Sequence, residues 1–128
     1  MADSLTNTAE NLTLDWINGV GTPTRPTAPL KVALVTANGT DAAAGTEASG
    51  GGYARQTLTV AAAVNGATAN SADLVWSNMP ATTIVGVEIW DSAGTPVRLW
   101  YGPLSASRTT AAGDELRLPA ASLTLSIQ

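Results

Sequence analysis

Past residue 52 the chain is cut into short β-type runs by turn residues, and this punctuation limits the fold more than any other feature. The runs Tyr53 to Ala63, Ala72 to Ser77, Thr83 to Trp90, Val97 to Tyr101, Leu104 to Arg108, Glu115 to Leu118 and Leu123 to Ile127 are each short. Between them stand Asn65-Gly66, Asn78-Met79-Pro80, Ser92-Ala93-Gly94-Thr95-Pro96, Gly102-Pro103 and Ala112-Gly113-Asp114. Such spacing predicts a mainly all-β fold, an antiparallel β-sandwich or barrel-like domain with Greek-key or meander links. Within one run Ile84, Gly86, Glu88 and Trp90 alternate with Val85, Val87 and Ile89, and the second set is the expected core face. The same alternation sets Val97, Leu99 and Tyr101 against Arg98 and Trp100, which leaves Trp100 exposed unless its indole N–H finds a partner.

Ahead of the strands the pattern changes. Leu5, Ala9, Leu12 and Trp16 recur at helical spacing, Asn7 with Glu10 reads as a capping box, and Gly19 is a stop signal. A helix of about three turns is marginal alone in water, so its apolar stripe must dock, either on its own sheet or on a neighbouring subunit. From Val20 to Pro29, prolines at every third position give a stiff, extended connector. The expected division is therefore a helix and Pro-rich arm over 1–29 and a β-sandwich domain over 30–128. Leu30 to Thr36 opens that domain as a buried strand, and Asn38 to Gly52 follows as a loop whose three closing glycines imply positive φ or a close backbone approach.

Composition narrows function by elimination. The 128 residues contain no histidine and no cysteine, which removes imidazole bases, thiolate nucleophiles, disulfides and most metal cages. No cofactor and no metal site is expected. A net charge of -4, with Arg25, Lys31, Arg55, Arg98, Arg108 and Arg117 scattered singly, argues against nucleic acid as a partner. No apolar run reaches membrane length and the N-terminus has no signal-peptide pattern, so a membrane partner is not expected either. Apolar residues make up 45% and charged ones 12%, about half the usual charge, which points to an exterior partly covered by copies of the chain or by another protein.

Three carboxylate pairs are candidates for acid and base: Asp41 with Glu47, Glu88 with Asp91, and Asp114 with Glu115. None carries a readable substrate-binding neighbourhood, and the expectation is that the protein is not an enzyme. Trp16, Trp76, Trp90 and Trp100 suit a sugar-stacking platform, but large aromatics in a sandwich more often serve as core or interface anchors.

Several segments together carry a resemblance to a family of small tailed-phage virion proteins. They are a helix over Asn7 to Gly19, an apolar strand over Leu30 to Thr36, an acidic and alanine-rich loop over Asp41 to Gly52, then Gly50-Gly51-Gly52-Tyr53-Ala54-Arg55, and at the end Ala112-Gly113-Asp114 before a last strand over Leu123 to Ile127. Members are commonly labelled tail fibre or minor structural protein. The resemblance implies a bacteriophage structural protein, made in the host cytoplasm and carried on the exterior of the virion. For a lone module with no heptad stalk or collagen-like repeat, the expected placement is a capsid decoration or minor capsid protein on the head shell, with a tail-fibre or tail-tip component contacting the host surface as the alternative. Expected partners are the major capsid protein or other virion proteins, with homo-oligomers formed. Candidate interaction residues are Leu5, Leu12 and Trp16 on the helix side, Gly50, Gly51, Gly52, Tyr53 and Arg55 at the loop end, and Trp100.

Overall fold

A computed structural model describes residues 4–127. The chain is mainly β, with one helix and antiparallel pairing throughout the described strands, and its sheets do not close into a barrel. Its elements are β1 (Ser4–Leu5), α1 (Asn7–Asn18), β2 (Leu30–Ala37), β3 (Thr46–Glu47), β4 (Gln56–Leu58), β5 (Ala67–Ala69), β6 (Leu74–Met79), β7 (Thr82–Trp90), β8 (Arg98–Thr110), β9 (Asp114–Leu118) and β10 (Thr124–Ser126). The main sheet runs β1-β8-β7-β2-β3, with β4 pairing the opening half of β2. Two smaller pairs, β6 with β9 and β5 with β10, form the facing layer of a sandwich-like fold.

Both layers share one ribbon. Pairing keeps a common register from Leu74↔Leu118 through Thr82↔Thr110 to Ile84↔Arg108, with a local irregularity between Trp76 and Met79. The β7–β8 hairpin and the β6–β9 pair are therefore a single two-stranded ribbon bent over on itself. The bend falls at Pro80–Ala81 and Ala111–Gly113, where Gly113 N donates to Met79 O at 2.8 Å and Thr110 Oγ1 donates to Pro80 O at 2.7 Å. Those bonds satisfy backbone groups that a corner strips of ladder partners. Folding the ribbon brings Trp76, Leu116 and Leu118 against Val32, Leu34, Val87 and Ile89, all at most 3% exposed.

Several expectations change in detail. Gly102-Pro103 does not separate two strands; β8 runs unbroken from Arg98 to Thr110. The irregularity those residues signalled is absorbed as a bulge, because the register shifts between Ile84↔Arg108 and Gly86↔Pro103. Proline has no N–H for a ladder, so a bulge is where a strand tolerates it. The same shift breaks the alternation expected along β7, so Ile84 joins Val87 and Ile89 in the core. Glu88, assigned to the face away from the core, is nevertheless only 1% exposed, because the 38–45 loop covers that face. At the helix, Thr6 rather than Asn7 is the N-cap: its Oγ1 accepts from Ala9 N at 3.2 Å and donates to Arg98 O at 2.9 Å. An extended Thr6 can bond both the helix and the sheet edge, which Asn7, already helical, cannot. Gly19 ends the helix in the left-handed conformation, as its position predicted.

Candidate interaction surface

The strand half of the molecule has its charges matched internally. Glu88 Oε2 accepts from Gly45 N at 2.8 Å and from Arg98 Nη1 at 3.2 Å, and the same guanidinium donates to Thr40 O. This buried pair pins the 38–45 loop onto the sheet. Asp41 accepts from the Tyr101 hydroxyl, and its backbone oxygen accepts from Asn7 N at 3.2 Å, tying the loop to the start of α1 as well. The 38–45 stretch is thus held at three points.

Gly50, Gly51, Gly52, Tyr53 and Arg55 meet in a second joint. Gly51 has φ +54, and a Cβ there would lie 2.8 Å from Asn78 O; a Cβ on Gly52 would lie 2.9 Å from Asn78 Nδ2. Gly52 N donates to Asn78 O at 2.7 Å, so the glycines let two backbones approach where the β6–β7 corner turns. Tyr53 then reaches inward, donating to Glu47 Oε2 at 2.7 Å and accepting from Leu34 N at 2.9 Å. Arg55 holds Glu47 through Nη2 at 2.8 Å and Nε at 3.0 Å, and stacks over the Trp90 ring at 4.4 Å. Desolvation alone would raise the Glu47 pKa, but the bonds from Arg55 and Tyr53 outweigh it and hold the carboxyl below its ordinary value. Burial, with the Glu47 carboxylate beside it, pushes the Tyr53 hydroxyl well above the usual range. These five residues bind β2, β3, β6 and β7 together.

The remaining carboxylates of the strand half are similarly engaged. Asp91 accepts from Val97 N at 2.8 Å, Thr27 N at 3.1 Å and Ala93 N at 3.3 Å, and these three donors overcome desolvation to keep its pKa lowered. Asp114 accepts from Ala111 N, and Glu115 pairs with Arg117, which also pairs with Asp73. Nor do the four tryptophans share a face. Trp76 is fully buried, Trp90 lies beneath Arg55, Trp100 is half-buried against the core, and Trp16 is 71% exposed.

The N-terminal element differs. Leu5 pairs in register with Trp100, so the structure brings these two candidates together at the edge of the main sheet. Within α1 itself only Ala9 is buried. Leu12 and Trp16 line an open apolar cleft of about 270 Å³ with Pro23 and Pro26 of the arm, and the arm's end is tied down at Asp91 and Ser92. The Pro-rich segment thus lies beside the helix and is fastened to the sheet at its end. Leu14, Ile17 and Val20, which the helical stripe did not include, are 56%, 65% and 56% exposed. The signal for Leu14 and Ile17 was present in the sequence as apolar residues on the polar side of the helix, and Val20 follows its glycine stop.

No curated protein matches this chain. A protein-family model does, over residues 4–126, and it is described as podophage GP4 fiber I protein gp80. A match of that extent, across the β1 edge, the helix, the glycine joint and the folded ribbon, makes the chain a member of this phage fibre protein family and a structural protein of the bacteriophage virion.

Proposed function

We propose that the chain is a component of the tail fibre, carried on the outside of the particle and acting by binding rather than by catalysis. The family description carries this reading, since it names a fibre protein and favours that placement over the head-decoration site expected from sequence. The side chains agree with a non-catalytic role. Each carboxylate pair weighed as an acid and base is committed to an arginine, a tyrosine or backbone amides, which leaves no free couple facing a cleft. Its partners in this reading are other fibre proteins and the host surface.

Quantitative mass spectrometry of purified virions, together with immunogold labelling, tests the placement. A fibre component gives few copies per particle and label at the tail. Tens to hundreds of copies with label on the head shell would overturn the proposal in favour of decoration, and absence from the particle would overturn both.

A further inference from the structure

Unsatisfied surface is concentrated in one place. Among the described residues every charged side chain from Lys31 onward has a hydrogen-bond or ion-pair partner, whereas Glu10, Asp15 and Arg25 have none. Of the seven exposed large apolar side chains among the described residues, Leu14, Trp16, Ile17 and Val20 lie in the same segment. Glu10, Leu14 and Ile17 follow i, i+4, i+7 spacing and form one stripe of α1, while Trp16 opens the cleft beside Arg25. A twelve-residue helix with a single buried residue has little of its own to hold it, so a covering partner adds the burial it lacks.

We propose that α1 and the Pro-rich arm form the contact between copies of this chain. The element carries both signs of charge, two carboxylates on the helix and one guanidinium on the arm, so a second copy supplies the complement to each. Apolar side chains of the two copies cover one another between those charges. A purely acidic or purely basic partner would leave one sign facing its like. The rest of the chain, with its charges already matched, offers no comparable pairing. This inference goes beyond the fibre assignment and stands or falls separately from it.

Sedimentation equilibrium of the full chain tests it, with circular dichroism and thermal melting as the check on folding. The native chain is expected to self-associate. The exposed-site pair Leu14→Glu with Ile17→Glu should weaken association about tenfold or more while the chain keeps its folded circular dichroism spectrum. Arg25→Glu should also weaken it, and adding Glu10→Arg or Asp15→Arg to that background should restore part of the loss. A native chain that stays monomeric at about 100 µM sinks the proposal. Association unaffected by the Leu14 and Ile17 changes sinks it too, as does failure of both charge reversals to rescue. Copy number and label position on virions do not bear on these outcomes, so the two proposals fail independently.

Discussion

The β-body and the N-terminal element solve the problem of a weakly charged chain in opposite ways. In the body, the few charges are used to fasten loops: Glu88 and Arg98 close the 38–45 segment over the sheet, and Glu47 with Arg55 and Tyr53 closes the glycine joint. In the helix and arm, among the described residues, Glu10, Asp15 and several large apolar groups face outward without a partner. The contrast teaches that low charge content need not expose every surface alike. Here sparse charges are spent inside one region, and a single segment keeps the surface suited to association.

If the body is a closed, self-satisfied unit, its interior changes should be the costliest. Trp76→Ala removes a fully buried indole and should cost about 3–5 kcal/mol, read as a fall in denaturation midpoint. Arg98→Met should cost about as much, because it leaves the Glu88 carboxylate buried without its cation; adding Glu88→Gln should recover more than half. Failure of that recovery in chemical denaturation would mean the pair is not what holds the 38–45 loop.

A smaller loss, about 1–3 kcal/mol, is expected for Gly51→Ala, which forces an L-residue to positive φ against Asn78 O. Gly94→Ala, with nothing near its Cβ position, is the control and should change the midpoint little.

Acid sharpens the comparison next. Glu47 has its pKa lowered in the fold, so its contribution is complete above the unfolded carboxylate range, near pH 4, and disappears as pH falls through the folded value. Glu47→Gln should therefore lose less stability than the native chain between pH 7 and pH 3, by thermal melts at both. An equal loss in the two proteins would detach this carboxylate from the joint.

At the small end, Trp16→Ala should shift stability by no more than about 0.5 kcal/mol despite the size of the side chain. A loss comparable to that of Trp76→Ala would erase the distinction between the two regions.

Much of the architecture was legible beforehand. Turn residues marked most strand ends, Gly19 marked the helix end, and the triple glycine announced a close backbone approach that Asn78 supplies. Other features were hidden for physical reasons. Gly102-Pro103 looks like a turn because local composition cannot tell a turn from a bulge; only the opposing strand decides. Thr6 is not marked as the cap in sequence because its second bond goes to Arg98 O, across the sheet edge. Among the candidate contact residues, Tyr53 and Arg55 turn inward, since Glu47 and Trp90 arrive beside them only when β3 and β7 assemble. Leu14 and Ile17 carry no local mark of a role because they lie off the Leu5, Ala9, Leu12 and Trp16 stripe.

The amino-acid order alone determined the β class, the leading helix, and the absence of imidazole and thiol chemistry, because each depends on composition or on spacing within a short window. Tertiary structure decided which charges are buried, how one ribbon builds both layers, and which helical side chains remain uncovered. Those outcomes depend on segments far apart in the chain meeting in space, and a polar or apolar residue carries no local mark of the neighbour that will satisfy it.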